Sequence, residues 1–231
     1  MNMGDVSDLG LMQLADSFFP TGLYTMSHGL EVLYLQKRVI GQEQIRDLIE
    51  MYFLQQVGPA DCVALANAYS FAEQGDIDGI FKVDDTIHKL KLVKSQRDAS
   101  IRSGKQLIKC ITSFLKDELL TKYSLAVESC HTPGTYPVSF ALSAKSFGIP
   151  KRQACLMLFY GFAVSIVGAA LRLGILQHFE SQQILDEIKP TISKTIDKYI
   201  TKHYEHMWQF APQADIIQIH HEKMYSKMFI T

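Results

Sequence analysis

Cysteine is scarce in this 231-residue sequence, with Cys62, Cys110, Cys130 and Cys155 its only four. None forms a C-x-x-C pair, which excludes a zinc knuckle and a thioredoxin-like motif and fits a reducing cytoplasm. Excess charge of either sign is missing as well. Against 23 Lys and Arg stand 24 Asp and Glu, so the chain lacks the electrostatic footprint of a nucleic-acid binder, and proteins or small molecules are the expected partners. Alternating Val, Ile and Thr runs and Asn-Gly or Asp-Gly hairpin turns are not found, which argues against a β-sheet protein. The opening "MNMGDVSDLG" has acidic residues where a signal peptide needs a basic stretch and then an apolar one, so a cytoplasmic location is expected. A phosphate-binding loop fails too. The Gly104-Lys105 pair has Ala99 where the first glycine is needed and Gln106 where a magnesium-holding hydroxyl belongs. Repeats and low-complexity segments do not occur.

What remains is helical periodicity over a length that suits one large domain, 1–231. Residues 42–55 place Ile45, Leu48, Ile49, Tyr52 and Phe53 on one face. Gly58-Pro59 then predicts a break, with Pro59 opening a new helix to Ala72 and Asp61 near its positive end. Helical patterns follow over 77–91 and 95–120, the latter with Ile101, Leu107, Ile108, Ile111 and Leu115 as its core stripe. Residues 129–137 read as a loop, 139–147 as a short helix ending at Gly148, and 180–207 as an amphipathic helix bent at Pro190. The stretch 154–171, "ACLMLFYGFAVSIVGAAL", is the longest apolar run. It lies at the lower edge of bilayer-spanning length, roughly 20 residues, and is read instead as a helix buried in a helical core or dimer, not in a membrane. Gly161, Ser165 and Ala169 would share one face of it, where another backbone could come close.

Candidate chemistry is sparse. His203, His206, His220 and His221 crowd the last thirty residues, and His203 and His206 at i, i+3 suit a metal, but spacing fixes no third ligand. Cys130-His131 is a weaker case of the same kind. Ser27-His28 are neighbours only in sequence, and a nucleophile needs its base aligned in space. Ser17, Thr21 and Ser27 read as helix caps around Pro20 and Gly22, with Gly29 allowing close packing.

The segment "LMQLADSFFPTGLYTMSHGLE" resembles the N-terminal signature of the UreF family, P-x-G-x-[FY]-x-x-S-x-G-L-E, through Pro20, Gly22, Tyr24, Ser27, Gly29, Leu30 and Glu31. Arg97, Ser100 and Gly104 resemble its R-x-x-S-x-x-x-G helix, "YPVSFALSAKSFGIP" its P-V-x-F-G-x-A segment, and "HHEKMYSKMFIT" its terminal H-E-x-x-Y-S-R-L-F. Tyr136, Ala141 and Lys227 depart from the usual residues, and "LRLGILQHFESQQIL" stands where the family has a K-L-x-P-L-x-Q-x-D-G-Q-like turn, keeping only the basic position at Arg172. The resemblance implies an all-α, single-domain helical bundle of the UreF type and a non-catalytic urease accessory protein. Such a protein dimerises, binds UreD (UreH) and the GTPase UreG, and helps deliver nickel to apo-urease, with no cofactor of its own.

By the same resemblance, the partner-binding residues are Pro20, Gly22, Tyr24, Ser27, Gly29, Glu31, Arg97, Arg172, His221, Glu222, Tyr225, Ser226 and Lys227. The tail of residues 213–231 would dock on UreD, and Tyr24, Glu31 and Arg172 would face UreG. Tyr160, Gly161 and Ser165 would lie in the homodimer interface. The tail need not be ordered alone, so deleting residues 224–231 would leave fold and thermal unfolding nearly unchanged. The alternative reading is a nickel-binding metallochaperone that uses His203, His206, His220 and His221.

Overall fold

A computed structural model describes residues 3–16, 18–22 and 25–230. Every regular element among them is helical, the all-α class expected. The order is α1 (Met3–Ala15), α2 (Leu30–Leu35), α3 (Gln42–Tyr52), a π-helical segment (Phe53–Cys62), α4 (Val63–Gln74), α5 (Ile77–Leu90), α6 (Lys94–Thr112), α7 (Glu118–Glu128), α8 (Tyr136–Ser146), α9 (Lys151–Arg172), α10 (His178–Glu187), α11 (Lys189–Tyr199), one 3₁₀ turn (Tyr204–His206) and α12 (Pro212–Glu222).

The centre of the bundle is α8. Its residues Pro137 through Ala144 are all buried, and it packs against α4, α6 and α9. A helix apolar on every side has no solvent face to offer, which is why small residues such as Ala141 and Ala144 alternate with Val138, Phe140 and Leu142 there. Helix α9 is long and apolar enough to cross a membrane, and about half of its most apolar window (56%) is buried inside the bundle. Its other side is open. Leu156 and Tyr160 are exposed, and a Cβ added at Gly161 would meet no atom within 4 Å.

Gly58-Pro59 does not break the chain as expected. Helix α3 runs through the π-helical segment into α4 without interruption. Proline has no N–H to donate to the carbonyl four residues back, and wider π winding is one way to absorb that loss. A distant segment supplies the missing donor: Phe210 N–H donates to the Gln55 carbonyl at 3.0 Å, and Trp208 N–H to the Pro59 carbonyl at 3.3 Å. Gly58 is needed for another reason. A Cβ there would lie 2.6 Å from Thr195 Cγ2 and 2.7 Å from the Phe53 carbonyl oxygen, so α11 packs directly on the segment's backbone.

Two long helices expected from periodicity are each divided. The 95–120 pattern stops at Thr112, and Asp117 caps a new helix by accepting from Leu120 N–H at 2.8 Å. The 180–207 pattern ends at Glu187, with Pro190 in the first turn of α11, where a missing N–H costs nothing. Gly75 and Gly148 end their helices in the left-handed conformation, as expected.

Candidate functional site: the joined chain ends

The two end segments meet. The residue before α2 is Gly29, at φ +82°, and a Cβ on it would sit 2.9 Å from Ile217 Cγ2. Both the left-handed backbone and the contact with α12 therefore call for glycine. Tyr52 fixes the turn by donating to the His28 carbonyl at 2.7 Å, and Gln218 of α12 donates to the Tyr52 hydroxyl at 3.2 Å.

Glu31, buried in the first turn of α2, grips the tail with both oxygens. Oε2 lies 2.8 Å from His221 Nε2 and accepts from Phe229 N–H at 3.3 Å, while Oε1 accepts from Met228 N–H at 2.7 Å. Ile230 N–H donates to the Thr25 carbonyl at 2.9 Å. Phe229 is thereby placed in the core at 3% exposure, with the Arg172 guanidinium 4.5 Å from its ring centroid. Arg172 is held in turn by its own helix through Nε to the Gly168 carbonyl, 2.9 Å. Glu222 accepts from Ser95 N–H at 2.7 Å, which ties the end of α12 to the start of α6, and its carbonyl accepts from Lys227 Nζ at 3.0 Å. Arg97 braces the α5–α6 connection by donating to the Lys91 carbonyl at 2.8 Å.

The residues expected to bind partners thus divide. Ser27, Gly29, Glu31 and His221 are buried, whereas Pro20, Gly22, Glu222, Tyr225, Ser226 and Lys227 are exposed. Tyr225 projects completely, at 106% of its reference exposure. Tyr24 lies outside the described residues. The atypical stretch after Arg172 is an ordered turn, with Gly174 left-handed and a capping box in which Glu180 accepts from Gln177 N–H at 2.7 Å.

A groove of about 740 Å³ runs between α1 and α9, floored by Tyr160, Gly161 and Val164, walled by Leu11 and Leu14, and reaching Gly22 and Arg172. Tyr160 and Gly161, the residues assigned to a homodimer interface by resemblance, line it. Ser165 is nearly buried at its edge, hydrogen-bonded to the Phe162 carbonyl at 2.7 Å and 2.9 Å from His28 Nε2. The four C-terminal histidines do not converge. His203 precedes a 3₁₀ turn that His206 ends, so the two do not share an α-helix face, His220 is exposed, and His221 is buried against Glu31. Among the described residues no three His, Cys, Asp or Glu side chains form a group that could hold a metal ion.

Two buried acidic centres were not anticipated. Asp84, fully buried on α5, accepts from the Tyr123 hydroxyl (2.8 Å), both donors of Thr135 (2.9 and 2.5 Å), the Thr132 hydroxyl (2.7 Å) and Gly134 N–H (2.8 Å). It organises the 129–135 loop around one carboxylate. The sequence does carry a signal for it, since Asp84 falls on the Ile80, Val83, Ile87 stripe where an apolar residue belongs. Asp61 is not at a helix start but within the π-helical segment, 2.8 Å from Lys91 Nζ in an almost buried pair.

Comparison with known proteins places this architecture. The UreF family model matches residues 39–189. The UreF urease accessory protein of Trichodesmium erythraeum is 34% identical over 97% of each chain. Urease accessory protein UreF 1 of Brucella melitensis is 31% identical over 96% of this chain and 92% of its own, and the Yersinia enterocolitica protein is 29% identical over 99% of both. The chain belongs to the UreF family of urease accessory proteins.

Proposed function

We propose that this protein is a cytoplasmic, non-catalytic scaffold in urease maturation. It pairs with a second copy of itself, binds UreD and recruits the GTPase UreG, so that GTP hydrolysis on UreG drives nickel into apo-urease. The observation that carries this reading is the joined chain ends. The family-like motifs at the two termini are far apart in sequence, yet Glu31 clamps the tail, on which Tyr225, Ser226 and Lys227 stand exposed. A fully exposed aromatic on a fixed backbone is a suitable anchor, because little ordering entropy is lost on binding.

In this reading Glu31, His221 and Arg172 shape the surface, and Tyr225 with its neighbours meets UreD. The α1–α9 groove, with its exposed Leu156 and Tyr160, takes the second copy. Co-expression with UreD and UreG, followed by affinity purification through UreD, tests the proposal. A stable complex containing all three is expected, with the Tyr225→Ala protein recovered in much smaller amount. Failure of the wild-type chain to co-purify with either partner would sink it. The nickel-carrying alternative has no favouring geometry, and calorimetry with Ni²⁺ should show no tight site that replacement of His203, His206, His220 and His221 removes.

A further inference from the structure

A half-enclosed pocket of about 80 Å³ lies between the π-helical segment, α6, α9 and α12, and none of its lining residues is fully exposed. Its walls carry an unusual number of polar atoms without a protein partner: Gln56 Oε1, Gln96 Oε1, Gln218 Oε1 and Ser103 Oγ. All four side chains are at least nine-tenths buried. Two of the amides are oriented by their nitrogens, Gln96 Nε2 donating to Asp215 Oδ1 (3.2 Å) and Gln218 Nε2 to the Tyr52 hydroxyl (3.2 Å). Their oxygens are therefore set, and a buried acceptor left unmet costs about 1–3 kcal/mol.

The same cavity is lined by Lys91 and Asp61. One Lys91 proton reaches Asp61, and an ammonium has two more to donate. A ligand here must therefore donate to the glutamine oxygens and accept from Lys91 at once. A metal ion or an ammonium ion cannot accept, and either would meet the Lys91 charge. A carboxylate has no proton to donate to the amide oxygens. Water does both, and the volume of about 80 Å³ has room for roughly three molecules at about 30 Å³ each. We propose that the cavity is a built hydration site, in which ordered water links the three glutamine oxygens and Ser103 to the Lys91–Asp61 pair. The site joins three parts of the chain: the π-helical segment through Gln56, α6 through Gln96 and Ser103, and the tail helix through Gln218. This inference does not depend on the maturation role.

Oxygen-17 relaxation dispersion of water, which is blind to proton exchange with hydroxyls and lysine, tests it on the full chain. Long-lived water is expected in the wild type, with a smaller dispersion amplitude in Gln56→Met and in Ser103→Ala. Stability supplies a test of sign. If water satisfies these groups, each substitution forfeits bridged hydrogen bonds and the melting midpoint falls by about 2–4 °C. If the atoms are unmet, removing one relieves a penalty and the midpoint stays or rises, which overturns the proposal. Should either variant fail to fold, a high-resolution crystal structure of the wild type decides. Density within hydrogen-bonding distance of Gln56, Gln96 and Gln218 supports the site, and none there overturns it.

Discussion

Single buried polar residues carry much of the specificity of this fold, and Asp84 is the clearest. Five donors, one from Tyr123 on α7 and four from the 132–135 loop, converge on its two oxygens, so replacing one oxygen by an amide nitrogen sets donor against donor. Asp84→Asn should lower stability by about 3 kcal/mol, since at least one buried donor is left unmet and another is repelled. Urea unfolding would show this as a lower midpoint with an unchanged slope; a midpoint within error of the wild type would mean the loop is held otherwise. His28 gives a pH dependence. Burial, and then the nearby Lys91 charge, lower its pKa from 6.5 to about 4. The unfolded chain therefore binds a proton between those values that the folded chain refuses. The stabilisation is complete above pH 6.5 and is lost as pH falls toward 4, on the order of 3 kcal/mol from this group. His28→Asn keeps a residue that tolerates the left-handed backbone at φ +52° and should flatten that part of the stability–pH curve. An unchanged curve would assign the acid sensitivity to other groups.

At the scale of elements, the tail behaves differently from its first reading. Phe229 belongs to the hydrophobic core and Glu31 is satisfied by the tail, so deleting residues 224–231 should lower the melting temperature rather than leave it unchanged. Losing the burial of one phenylalanine alone is worth about 2–3 kcal/mol. Tyr225→Ala removes only an exposed ring and should leave unfolding unaltered while weakening UreD capture. The π-helical segment is equally specific. Gly58→Ala gains about 1 kcal/mol of helix propensity, but the new methyl meets the Phe53 carbonyl, which cannot move cheaply. A net loss of about 1–2 kcal/mol is expected in urea unfolding, and a more stable variant would contradict the close packing of α11. These elements also show what the sequence could convey. Periodicity located the apolar face of α3, the glycine stops at Gly75 and Gly148, and the all-helical class, because those are local properties. It placed a break at Gly58-Pro59 because the compensating donor, Phe210 N–H, comes from 155 positions later than the Gln55 carbonyl it meets. The Glu31–His221 contact is hidden for the same reason: only the folded bundle brings positions 31 and 221 together.

At the level of the whole molecule, the joined ends and the α1–α9 groove adjoin at Arg172, and the proposed assembly needs both at once. Gly161 offers a way to separate them. It lies on the open side of α9, and a Cβ there meets nothing within 4 Å in the single chain. A larger residue should therefore be accepted by the isolated fold, with helix propensity favouring it over glycine by roughly 0.8–1 kcal/mol. In a dimer that uses this groove the same side chain would enter the partner's space, where added bulk in a packed contact costs about 1–3 kcal/mol per protomer and an unpaired charge costs more. By two-fold symmetry that cost is paid twice. Gly161→Arg should leave helical content and thermal unfolding of dilute protein at or above wild-type values while sedimenting as a monomer at concentrations where the wild type sediments as a dimer. Retained UreD binding by that monomer, with UreG recruitment lost, would show that the joined ends act within one chain and that pairing serves the GTPase. An unchanged dimer would move the interface away from α9, and a monomeric wild type would remove pairing from the proposal altogether.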